Sequence, residues 1–137
     1  MTATPTLVQT PKITPNSWVN ADAANTKKTI CTAGSSGTKV VGISASSTDT
    51  SNRTGQLWLT RSGTSYLIAS FVVPTLAGTD GIVPAVNLMR ASLLPLPVDN
   101  DGQPYLLLVS GDTLQASFTG VVTAAKEIDI VCIHGDF

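Results

Sequence analysis

Gln56-Leu57-Trp58-Leu59-Thr60-Arg61-Ser62-Gly63-Thr64-Ser65-Tyr66-Leu67-Ile68-Ala69-Ser70-Phe71-Val72-Val73 holds two apolar runs with Ser62-Gly63 between them and Pro74 behind them. Aromatic and β-branched side chains fit a pleated, half-buried surface. A two-residue connection containing glycine predicts a tight hairpin. Pro74 cannot donate to a ladder and ends the return strand. This stretch decides for a β architecture, and the rest of the chain repeats its grammar.

Thr113 to Thr119 alternates, with Leu114, Ala116 and Phe118 inward and Thr113, Gln115, Ser117 and Thr119 outward. Lys126 to Ile133 places Ile128, Ile130 and Cys132 on one face and Glu127 and Asp129 on the other. Lys39 to Ala45 reads as a strand with Val41, Ile43 and Ala45 on one face and Val40, Gly42 and Ser44 on the other. Lys28 to Thr32 and Tyr105 to Val109 complete the set. Turn clusters separate them: Ala33 to Gly37, Ser46 to Gly55, Asp99 to Gly102 and Ser110 to Asp112. Ala85 to Leu94 alone shows helical spacing, through Val86, Met89 and Leu93, before Pro95-Leu96-Pro97 stops it.

Short strands with turns between them predict an all-β fold, an antiparallel β-sandwich or a jelly-roll-like barrel, with at most one short helix. The strands before Pro74 and after Pro104 are apolar on both faces. Such strands are covered on both sides, or one side meets another molecule.

The 137 residues suit one domain. Residues 1–15 read as an extended N-terminal arm and 16–137 as a single β domain. Pro5, Pro11 and Pro15 hold the arm extended and leave it few backbone partners. It is a frayed end or a docking arm. The apolar Leu7, Val8 and Ile13 favour docking, and Trp18 follows close behind as a candidate partner-binding side chain.

Hydrophobic residues make up 42% of the chain, enough for a core and against general disorder. Charged residues make up 12%, about half the roughly 25% usual in soluble domains. Ser and Thr must therefore cover much of the surface. Two readings follow: area destined to be hidden against copies or partners, or a Thr-rich extracellular β domain. A net charge of −1 without a basic cluster predicts no nucleic acid and no membrane-surface partner. The first residues lack the basic and apolar regions of a secretory signal, and the uncharged run Ser62 to Thr79 is broken by glycine, serine and proline, unlike a bilayer span.

Motifs with chemistry are sparse. Cys31 and Cys132 have no Cys-x-x-Cys partner and read as buried reduced thiols, with a disulfide as the other reading. Gly34-Ser35-Ser36-Gly37-Thr38-Lys39 departs from a phosphate-binding loop in spacing and in order. Asp99-Asn100-Asp101-Gly102 begins like a calcium loop but lacks the later acidic ligands, which favours a turn. Acid–base catalysis has one histidine, His134, and one glutamate, Glu127, to draw on. These residues predict no enzyme, no cofactor, no metal and no small-molecule substrate.

Three stretches together carry a likeness: Ser46 to Arg53 leading into Leu57-Trp58-Leu59-Thr60-Arg61-Ser62-Gly63; Ser92-Leu93-Leu94-Pro95-Leu96-Pro97 with Asp99-Asn100-Asp101-Gly102-Gln103-Pro104-Tyr105-Leu106-Leu107-Leu108; and Val122 to Ile130. The set resembles small proteins from the head-gene cluster of tailed bacteriophages, of the capsid decoration or cement type. The resemblance implies a virion protein made in the host cytoplasm that binds the outside of the shell, bridges neighbouring major capsid protein subunits, and works as a dimer or trimer. A carbohydrate- or receptor-binding β module of a phage fibre or spike is the alternative, and would need Trp18, Trp58, Tyr66 or Tyr105 exposed in a row.

Overall fold

A computed structural model describes residues 8–137. It contains nine strands and, among the described residues, no helix: β1 (Thr10–Val19), β2 (Lys28–Thr32), β3 (Thr38–Ser47), β4 (Arg53–Arg61), β5 (Thr64–Val73), β6 (Val86–Asn87), β7 (Leu106–Leu108), β8 (Thr113–Phe118) and β9 (Glu127–Asp136). They form two antiparallel sheets packed face to face as a sandwich. The first runs β1-β9-β3-β6, with β7 also on β3; the second runs β2-β8-β4-β5.

The β4–β5 hairpin closes where its sequence predicts. Arg61 pairs with Thr64 across Ser62-Gly63. Both turn residues have positive φ, 53° at Ser62 and 78° at Gly63, the combination a type I′ turn requires. The alternation in β8 and β9 also holds: Leu114, Ala116 and Phe118 meet Ile128, Ile130 and Cys132 in the core.

Three local expectations are corrected. In β3 a bulge between Val40 and Gly42 shifts the phase. Val40 is buried and Val41 faces out, while Ile43 and Ala45 stay inside. Ala85 to Leu94 forms no helix. The β3 edge takes up this segment, with Ala45 opposite Val86 and the Leu88 amide bonded to the Ile43 carbonyl, and only a single turn follows at Arg90. Finally, Thr10 to Pro15 is not short of partners. It forms the first half of β1, paired with β9 from Thr10↔Asp136 to Val19↔Glu127. Leu7 lies outside the described residues.

Trp18, Phe118 and Phe71 stack edge to face through the core, with centroids 5.1 and 5.9 Å apart. Gly55 makes room for this column: a Cβ there would fall 2.3 Å from Phe71 Cζ and 3.0 Å from Phe118 Cε1. Gly55→Ala is expected to cost about 1–3 kcal/mol by overpacking. Urea denaturation checks it, and an unchanged midpoint would show that the rings yield without strain.

The loops are tied by buried carboxylates. Asp49, wholly buried, accepts from Arg53 Nε (2.8 Å), Thr123 Oγ1 (2.7 Å) and the Thr123 and Ser51 amides. Its carbonyl accepts the Leu76 amide. One side chain thus joins the β3–β4 loop to the β8–β9 loop, and its backbone reaches the segment after β5. Asp112, before β8, receives a two-pronged contact from Arg61 at 2.6 and 2.7 Å and caps the Val109 amide.

Candidate functional site

The outer face of the β1-β9-β3 sheet stands out because alternation there puts apolar residues outward. In β9 the phase set by Glu127 and Asp129 continues through Val131 and Ile133. In β1 the outward set is Pro11, Ile13, Pro15, Ser17 and Val19. Register aligns these into rows. Ile13 faces Ile133, which faces Gly42, with Val41 beside it. Pro15 faces Val131 and then Ser44. Pro11 faces Gly135, then Lys39 and Leu107.

The middle row is strongly exposed: Ile13 at 66%, Ile133 at 46% and Val41 at 48%, with Leu107 at 54% beside it. Val8, half-exposed, lies over Gly135, where its Cγ1 fills the space that a side chain would take. Lys39 Nζ sits 5.0 Å from the Tyr105 ring and marks one margin. The row Ser17–Asp129–Ser46, closed by Ser17 Oγ donating to Asp129, marks the other. A contiguous apolar face with a polar rim is the form an interaction surface takes.

The free edge of β1 offers few donors to another strand. Pro11 and Pro15 carry no N–H. They can occupy only those ladder positions whose amides face away from β9, so these edge sites present no donor. The next outward amides are engaged by side chains: Ser17 N–H by Asn16 Oδ1 and Val19 N–H by Asp22. The outer edge of β1 is thus poorly suited to strand addition.

The predicted partner-binding side chains separate. Val8 and Ile13 lie on this face; Trp18 does not. Its position in β1 has the inward parity, opposite Ile128. The ring is buried and its N–H donates to the Thr26 carbonyl at 3.1 Å. Trp18 is therefore a core anchor with no surface to offer. Ile133, Val41 and Leu107 were not singled out from sequence. The outward phase of β9 contained the signal for Ile133, whereas Val41 was hidden by the bulge.

The aromatics do not align. Trp58 lies on the outer face of the other sheet, its N–H bonded to Ser117 and its ring 4.1 Å from Lys27 Nζ. Tyr66 is on the edge strand β5, and Tyr105 is beside Lys39 on the first sheet. Thr60, Ser65, Gln115 and Thr29 surround Trp58 with a mutually bonded set of hydroxyls and an amide.

The acid–base groups are also scattered. Glu127 and His134 sit toward opposite ends of β9, about 23 Å apart at strand rise. The Asp99 carboxylate caps the amides of Asp101 and Gln103, the behaviour of a turn. Gly34 to Lys39 leads into β3 and not into a helix. One further cluster lies inside the sandwich: Cys31, Cys132 and His134. No family model and no curated protein matches the chain.

Proposed function

We propose that the chain is a structural virion protein that binds the outside of a phage capsid and bridges neighbouring major capsid subunits, as a dimer or trimer. The observation that carries this reading is the apolar outer face built from Ile13, Ile133, Val41 and Leu107. Covering one such isoleucine contributes about 1.5–3 kcal/mol. Many symmetric copies turn modest contacts into firm attachment. The resemblance to head-cluster proteins supplies the partner and the location, with synthesis in the host cytoplasm. Leu7 extends the same reading toward the N-terminus, next to Val8.

The fibre or spike alternative has less support, because its aromatic platform is dispersed, with Trp18 buried and Trp58 flanked by Lys27. Sedimentation of the isolated chain, followed by co-sedimentation with empty shells of the cognate major capsid protein, tests the proposal. The expected result is a dimer or trimer that saturates the shell. A monomer that stays in the supernatant overturns it. Removing residues 1–7 is expected to reduce occupancy, and undiminished binding would assign attachment to residues 8–137 alone.

A further inference from the structure

Cys31 and Cys132 reach each other across the sandwich. Cys31 comes from β2 in one sheet; Cys132 and His134 lie two apart on the inner face of β9 in the other. Both sulfurs and a ring nitrogen of His134 fall within 4.8 Å of one another. All three residues are buried, at 1%, 0% and 5% exposure. His134 Nε2 is 2.9 Å from Thr14 Oγ1, so its tautomer and ring orientation have a partner. Its Nδ1 has none. Among the described residues it is the one buried side-chain nitrogen or oxygen without a hydrogen bond.

From this geometry we infer a metal site: Cys31, Cys132 and His134 bind one divalent ion of the Zn²⁺ class, which staples the two sheets together.

Two thiolates and an imidazole are the donors that Zn²⁺ selects, whereas Mg²⁺ and Ca²⁺ seek oxygen. Charge agrees with burial. A divalent cation with two thiolates and a neutral imidazole sums to zero, and an interior tolerates that where it would not tolerate a lone charge. A monovalent ion would leave a net negative centre. On binding, each thiol gives its proton to solvent and its sulfur forms a bond to the metal. Two protons leave, the imidazole contributes a lone pair, and nothing is oxidised or reduced.

Thr14 stands where ligating histidines keep an outer hydrogen-bond partner. Three protein ligands leave one tetrahedral position for water.

The test uses the full chain, reduced and freed of metal by chelation. Titration with Co²⁺ is expected to give thiolate-to-metal charge-transfer absorption and tetrahedral visible bands that saturate at one equivalent and are displaced by Zn²⁺. Cys31→Ala, Cys132→Ala and His134→Ala should each abolish stoichiometric binding. Thr14→Val should weaken it about 10–100-fold while keeping the spectrum. A second readout needs no variant: Zn²⁺ should slow alkylation of both Cys31 and Cys132, mapped on peptides. The inference fails if no charge-transfer band forms, or if binding survives in Cys31→Ala/Cys132→Ala. It also fails if Zn²⁺ leaves thiol alkylation unchanged, or if the two cysteines form a disulfide that Zn²⁺ does not prevent. None of these outcomes depends on shell binding, so this inference and the capsid proposal stand or fall separately.

Discussion

Asp49→Ala is expected to cost about 3–5 kcal/mol, enough to threaten a domain whose whole stability is of order 5–15 kcal/mol. The carboxylate is wholly buried and its partners come from two loops. Removing it leaves Arg53 Nε, Thr123 Oγ1 and two amides without their acceptor. Arg53, with 19% of its side chain exposed, can recover part of its hydration; the Thr123 donors are less free to do so. Asp49→Asn separates charge from shape. It keeps the volume but turns one acceptor into a donor among donors, so it too should destabilise. Chemical denaturation by urea measures both variants. A loss under about 1 kcal/mol for Asp49→Ala would mean that the loops hold without the hub.

The same hub sets an acid limit. Burial raises the Asp49 pKa, but the bonds from Arg53, Thr123 and Ser51 outweigh it and hold the carboxyl well below the ordinary range. Asp112 is lowered as well, chiefly by Arg61. A carboxyl with a lower pKa folded than unfolded binds more protons when unfolded, so stability rises with pH across the interval. The contribution is complete above the unfolded value of about 3.9 and drains away as pH falls below it. Stability measured from pH 5 down to pH 2 should therefore decline in the wild type. The decline should be shallower in Asp49→Asn, and parallel slopes would remove Asp49 as a cause.

How legible all this was depends on distance along the chain. The hairpin could be read because its information is local: Ser62-Gly63 fixes the turn and the runs on either side fix the strands. Alternation in β8 and β9 was readable for the same reason. The bulge at Val40 was not, since one extra residue reverses every face and leaves no mark in composition. The spacing of Val86, Met89 and Leu93 suited a helix, but the neighbouring edge of β3 offered backbone partners and won. Pro11 and Pro15 suggested a loose arm because proline weakens a ladder. In an edge strand it weakens only the outer side, with which no described strand pairs. Cys31, Cys132 and His134 could not be assembled by spacing at all, because the sandwich brings together residues from nearly opposite ends of the chain.

The proposed docking face predicts the largest change in binding. Ile13→Asp and Leu107→Asp place a carboxylate at two separated points of the apolar outer surface, each on a side chain more than half exposed. Exposed positions of this kind move stability by about 0.5 kcal/mol or less, so the fold should be unaffected. Against a partner the balance differs. Each change removes an apolar contact and would bury an unpaired charge. A residue central to an interface is worth about 2 kcal/mol or more, and 1.4 kcal/mol is tenfold in affinity. Each variant should therefore bind shells at least about 30-fold more weakly, and the pair should fail to decorate them. Leu67→Asp, on the outer face of the opposite sheet, is the matched control: equally exposed in kind, and expected to leave occupancy unchanged. Titration of each variant into purified shells reads the outcome. Full occupancy by Ile13→Asp/Leu107→Asp would remove the first sheet's outer face as the attachment surface. Loss with Leu67→Asp alone would move attachment to the hydroxyl-rich surface around Trp58.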